Sequence, residues 1–215
     1  MSVDKMIEDL VVRNPVLGAA KNDIYKAFEL LKNSYENSGK LLICGNGGSA
    51  ADADHIVGEL MKRFSIPREI PENLKNTLLS DFGEKGKYMS EKLEGALPAI
   101  SLNGNNALSS AFANDVDAEL IYAQQVVGYG NIEDILIGIS TSGNAKNVIA
   151  AMMVAKAKGM KVLGLVGRDG GAFNKYCDVL INVGGNSTPQ IQELHLPVYH
   201  VLCQTLEYHF FSKTK

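Results

Sequence analysis

The sequence predicts an α/β fold: a parallel sheet doubly wound by helices on its two faces. Three observations carry that expectation. Five short runs are apolar at almost every position rather than at alternate ones, as strands are when both their faces are buried. Segments with apolar residues at helical spacing separate the runs, the order of a sheet built from strand–helix–strand units. The chain has 215 residues, 46% of them hydrophobic and 21% charged, enough for one substantial core.

The first forty residues read as a helical arm. Met6, Ile7, Leu10 and Val11 recur at helical spacing, "NPVLG" interrupts, and Ile24, Phe28 and Leu31 continue the apolar face. Asn14 followed by Pro15 is the signature of a cap with proline at the first helical position. Residues 41–215 form the sheet domain. "LLICGN" is the first strand and Ala50 to Phe64 a helix; "LPAISL" is the second strand, with helix from about Ala107 to Val127. "DILIGIS" is the third, with helix from about Asn144 to Lys158; "KVLGLVG" is the fourth, ahead of a short helix near Gly171. "CDVLINVG" is the fifth, and a last helix runs from about Thr188 to Phe211 around Pro197, which should kink it or free a carbonyl. Ser65 to Gly95 (65–95) is polar, charge-mixed and opens with two prolines. It reads as a helical insertion whose apolar positions are Leu74, Leu78, Leu79, Tyr88, Met89 and Leu93, a lid or an oligomer contact.

A formal net charge of −3 and the lack of a dense Lys/Arg run give no ground for a nucleic-acid partner. No apolar run nears the roughly 20 residues that span a bilayer, so no membrane partner is expected. Cys44, Cys177 and Cys203 are odd in number, widely spaced and set in apolar surroundings, which predicts buried free thiols. The charged, amphipathic N-terminus lacks the apolar core of a signal peptide, so a cytoplasmic protein is expected.

Ligands of parallel sheets bind beyond the carboxyl ends of the strands. Two loops there have unusual chemistry. "CGNGGSAAD" offers Gly45, Gly47 and Gly48 for a tight turn, with Ser49 opening a helix. "STSGN" sets Ser140, Thr141 and Ser142 at the mouth of another. One hydroxyl before a helix is ordinarily a cap, but three exceed a cap's needs. Unpaired amides at a helix N-terminus together with hydroxyls suit a phosphate monoester without a lysine. A Walker A loop is excluded, since no lysine follows either glycine cluster. Dinucleotide binding is the weaker reading, because the next strand ends in Asn and Gly rather than an acid. For chemistry, His55 and Glu59 are spaced i, i+4, and Gln192 and His200 lie about two turns apart on the final helix. Such residues serve proton transfer or metal ligation. Each pair alone is commonly a surface contact, and spacing does not say whether the two helices meet. His195, one turn from Gln192, competes for the same role, and His209 reads as surface.

"CGNGGSAADADHIVGELMKRF", "ANDV", "GISTSGNAKNVI", "KGMKVLGLVGRDGG" and "IQELHLPVYHVL" together resemble the sugar isomerase (SIS) domain of the phosphoheptose isomerases, over nearly the whole chain outside 65–95. The resemblance implies a flavodoxin-like five-stranded sheet, a homotetramer with active sites at subunit interfaces, and conversion of sedoheptulose 7-phosphate to D-glycero-D-manno-heptose 7-phosphate for surface polysaccharide. It implies that Ser140, Thr141 and Ser142 hold the phosphate, with Asn46, Gly47 and Ser49 lining the first loop. It further implies that Asp115 binds sugar hydroxyls, that Arg63 lies near the site, and that Glu59 and His200 are the acid/base pair. His55, Glu59, Gln192 and His200 match positions that hold zinc in some members. The chain departs from the family pattern at Ala145, where a serine is usual, and at Pro189, where an aspartate is. Two other readings are a non-catalytic SIS module that binds sugar phosphates or a replication partner, and an isomerase of another sugar phosphate.

Overall fold

A computed structural model describes residues 2–212. The arm comprises α1 (Val3–Arg13), a 3-10 turn over Pro15–Ala20 and α2 (Lys21–Glu36). Pro15 stands at the first position of the turn as expected, but Asn14 does not cap it. Its side chain instead donates back to the Leu10 carbonyl at 3.2 Å and closes α1. Five strands follow: β1 (Leu41–Cys44), β2 (Ala99–Ser101), β3 (Ile135–Ser140), β4 (Lys161–Val166) and β5 (Val179–Asn182). They pair all parallel in the order β2-β1-β3-β4-β5, the flavodoxin-like arrangement.

Alternate residues of the strands enter different cores, which is why the runs are apolar throughout. Leu41, Ile43, Ile135, Ile137, Leu163 and Leu165 pack under α1, α2, α3 (Gly48–Met61) and α8 (Thr188–Phe211). Leu42, Cys44, Leu136, Val162 and Val166 face α6 (Ile121–Tyr129) and α7 (Lys146–Ala157). The chain thus leaves β1 to one face and the adjacent β3 to the other, which opens a crevice between them.

Two helical expectations change. The stretch from Ala107 to Val127 is α5 (Asn106–Phe112), a π-turn over Ala113–Asp117, a short 3-10 turn and then α6. Asp117 causes part of the break, since its carboxylate accepts the Glu119 amide at 2.7 Å and pulls the backbone out of the helix. The 65–95 segment carries α4 (Glu72–Lys92), broken at Gly83, whose φ of 52° and ψ of −130° only glycine adopts readily. Of its apolar positions Leu78 is buried, whereas Leu74, Leu79, Tyr88 and Leu93 are exposed. Cys44 and Cys203 are buried free thiols; Cys177 is only half-buried. Among the described residues no helix is long and apolar enough to cross a membrane.

Candidate active site

The two loops flank the β1/β3 crevice. In the first, Gly47 has φ 57°, and Ser49 enters α3 with its amide on the Asn46 carbonyl at 3.1 Å. A Cβ at Gly48 would stand 2.4 Å from Nε2 of Gln192, so the missing side chain is what lets α8 lay that amide over the loop. In the second loop, none of the three hydroxyls caps α7. That helix starts at Lys146 behind Ala145, which has no side chain to cap it. The Ser142 hydroxyl accepts the Asn144 amide at 3.3 Å, and Asn144 Oδ1 accepts the Ala172 amide at 3.0 Å. Ser140 is nearly buried, and neither its hydroxyl nor that of Thr141 has a hydrogen-bond partner among the described residues. The loops are tied together by reciprocal amide bonds between Asn46 and Asn147, at 2.8 and 3.0 Å. Beneath them the Tyr122 hydroxyl lies 2.7 Å from the Gly45 carbonyl and 2.6 Å from Asn103 Oδ1; burial pushes its pKa up to about 12.

Further along α3, the spacing that left two helices unrelated resolves into one cluster within a single chain. His55 Nε2 lies 3.1 Å from Glu59 Oε1, and its Nδ1 lies 3.0 Å from the Tyr199 hydroxyl. Tyr199 also donates to Asp52 Oδ1 at 3.3 Å. The His200 ring packs edge-on against His55, centroids 5.1 Å apart, and against Phe64 at 5.2 Å. Burial, with His55 beside it, holds the His200 imidazole below its ordinary range against the pull of Glu59, so the ring is neutral at neutral pH. Burial also raises the Asp52 carboxyl, although Tyr199 and His55 oppose it. Glu59 Oε2 and His200 Nε2 are buried and make no hydrogen bond, although Lys62 Nζ stands 3.9 Å from Glu59 Oε2 as a loose ion pair. Two buried polar atoms without a hydrogen bond, on side chains that both neighbour His55, are what a substrate or a cation would complete. The glycine loop opens α3 and His55 comes seven residues after Gly48, so loop and cluster are separated by about 10 Å of helix rise.

The donor kinds fit zinc: two imidazoles, a carboxylate and the Gln192 amide, with Glu59 and His200 each holding a buried atom that makes no hydrogen bond. They do not stand as a formed centre. Among the described residues no group of three or more His, Cys, Asp and Glu side chains is spaced to hold a metal.

Other expected site residues lie apart from the cluster. Arg63 is exposed and pairs with Glu94 Oε1 at 3.1 Å. Asp115 is exposed on the π-turn, where its carboxylate accepts the Asn114 amide at 2.8 Å. Pro189 sits within the first two residues of α8, where a missing amide costs nothing. His209 is part-buried, 3.0 Å from Glu36 Oε1. Asp52 and Tyr199 were missed, though Asp52 shares a helical face with His55 and Glu59 and Tyr199 adjoins His200. Tyr122 and Asn147 have no local signal, since their partners are distant in sequence.

His195 makes none of the cluster's hydrogen bonds. It is fully buried and neither ring nitrogen has a partner of hydrogen-bonding geometry. Burial lowers its pKa from 6.5 to about 4, the Val166 backbone opposing only in part. The unfolded chain therefore binds this proton in a range where the folded chain does not. Stability is full above about pH 6.5 and falls by roughly 2–3 kcal/mol as the pH drops toward 4. In urea melts at pH 7 and 4.5, His195→Phe should lose less stability on acidification than the parent; equal losses would contradict this role.

A sequence model of the SIS domain family matches residues 12–81 and 91–167, passing over the residues around the α4 break. The chain is 40% identical over 217 residues to the phosphoheptose isomerase of Helicobacter pylori strain P12, covering 97% of this chain and 100% of that protein. It is 39% identical over 187 residues to the phosphoheptose isomerase of a Nitratiruptor species, covering 87% and 86%. Among solved structures it is similar to a phosphoheptose isomerase from Francisella tularensis, with a TM-score of 0.74, 29% identity and 95% of each chain covered. That from Neisseria gonorrhoeae superposes with a TM-score of 0.70 at 31% identity, covering 95% of this chain and 91% of the other.

Proposed function

We propose that this chain, which belongs to the SIS domain family and within it to the phosphoheptose isomerases, interconverts sedoheptulose 7-phosphate and D-glycero-D-manno-heptose 7-phosphate through an enediol. The observation that carries this reading is that Glu59, on the helix the glycine loop opens, and His200, on α8, both neighbour His55, each with a buried polar atom that makes no hydrogen bond. The phosphate rests on the amide-rich mouths of α3 and α7, with Asn46, Gly47, Ser49 and the hydroxyls of Ser140, Thr141 and Ser142 around it. Gln192, laid over Gly48, contacts the bound chain. Glu59 removes a proton from C1 as the C2 carbonyl becomes an enediol, and returns it to C2. His200, neutral and adjacent, carries the second proton from O1 to O2, so the ketose leaves as an aldose with no net change in atoms.

Zinc held by His55, Glu59, His200 and Gln192 would polarise the carbonyl when bound. The enzyme works in the cytoplasm as a homotetramer, supplying heptose for surface polysaccharide. Support for assembly is that α5 buries none of its residues and that Val116 and Leu120 beside it are exposed. Asp115, on that same surface, then meets sugar hydroxyls across a subunit boundary, and Arg63 is freed from Glu94 as substrate enters. Light scattering should give four times the mass of one chain; a monomer would remove the interfacial site.

Incubation with sedoheptulose 7-phosphate, after chelation and with or without added zinc, should yield an aldose phosphate by NMR. Binding seen by thermal shift with no turnover under either condition would replace the isomerase by a phosphosugar-binding module.

A further inference from the structure

The turn after α3 hides a second charged pair, away from the reacting groups. Arg68 and Glu207 are both almost fully buried, with Nε 2.8 Å from Oε1. The Glu207 carboxylate also accepts the backbone amides of Phe64, Ser65 and Ile66, at 2.7, 2.8 and 3.2 Å. The Arg68 guanidinium donates to the carbonyls of Leu60 at 2.5 Å and of Glu59 at 2.7 Å, and lies over the Phe211 ring. A helix leaves its last carbonyls unpaired, and here a cation satisfies two of them at the end where the helix dipole favours positive charge.

Arg68 touches one residue of the proposed proton-transfer pair, and Glu207 reaches the other through Phe64. Arg68 grips the backbone of Glu59 itself. Glu207 fixes the amide of Phe64, whose ring lies against His200, and stands on α8 seven residues beyond His200, about two turns along the same face. A buried ion pair is weak evidence for stability, because desolvation offsets most of the attraction. This pair's bonds run instead to the two segments whose relative placement decides whether Glu59 and His200 reach one substrate.

We infer that Arg68 and Glu207 are a positioning pair that locks the end of α3 against α8 and so sets the placement of Glu59 relative to His200. The inference rests on the isomerase reading. Misplacing a reacting group by about 1 Å costs on the order of a hundredfold in rate. In the full-length protein, Arg68→Lys and Glu207→Gln should each lower kcat roughly 30- to 100-fold, with KM for sedoheptulose 7-phosphate within about threefold of the parent. The imidazole ¹⁵N resonances of His55 and His200 should also shift in substrate-free protein, while circular dichroism reports a folded chain at the assay temperature.

A folded variant with kcat within about threefold of the parent, or with unmoved imidazole resonances, overturns the inference. So does a loss of rate that merely tracks the unfolded fraction, or failure of both variants to fold, since the pair would then be only structural. If Arg68→Lys alone does not fold, Glu207→Gln carries the test. Glu59→Gln run in parallel separates the two claims. If that variant still turns over, the isomerase roles are wrong whatever the pair does, and the imidazole resonances still judge the pair. If it is inert while Arg68→Lys is fully active, only the positioning role falls.

Discussion

Glu59→Gln is expected to lower kcat about a thousandfold, near 4 kcal/mol of barrier, while KM stays within a few-fold. Glutamine keeps the length and volume of the side chain and still offers His55 an oxygen, so neither the first loop nor the α3–α8 contact is disturbed. What it cannot do is take a proton from carbon. Oε2 makes no hydrogen bond, only a loose 3.9 Å ion pair with the exposed Lys62, so thermal stability should hold to within about 1 kcal/mol. The sharpest readout is solvent deuterium: the parent should wash label into the substrate at C1, and the variant should not. Undiminished exchange would falsify the assignment of Glu59 as base.

Gly143→Ala is expected to cost about 2–4 kcal/mol of stability and to raise KM for the phosphorylated substrate. Gly143 has φ 65°, and a Cβ there would lie 2.0 Å from the Gly170 carbonyl oxygen. Backbone cannot swing aside as a side chain does, so the loop of Ser140 to Asn144 must part from the loop after β4. Gly47→Ala is the control. Its φ is 57° and its ψ −121°, a conformation that favours glycine, yet a Cβ at that position meets nothing within 4 Å, so it bears the conformational strain alone, about 1–3 kcal/mol. Urea melts of both variants decide the matter: equal losses would mean that the loop-to-loop contact contributes nothing.

Much of the architecture was legible along the chain because its causes are local. Both faces of each strand are buried, so strand positions are almost all apolar and the runs stand out. The last helix was bounded correctly from Thr188 to Phe211, and the glycine loop was recognised because a positive φ at Gly47 and close approach at Gly48 both demand glycine. Misreadings fell where a side chain had two local options. Asn14 had a carbonyl one turn back as well as an amide ahead, and Asp117 had a free amide two residues on. Periodicity alone does not choose between such bonds.

The sequence by itself determined the sheet, the two loops and the residue types able to move a proton. Only the tertiary structure decided that Glu59 and His200 both neighbour His55, that Gln192 covers Gly48, and that Arg68 and Glu207 clasp the end of α3 against α8. The reason is distance along the chain. Elements form from forces that act within a few residues, whereas these contacts join segments more than a hundred residues apart, brought together when both faces of the sheet are covered.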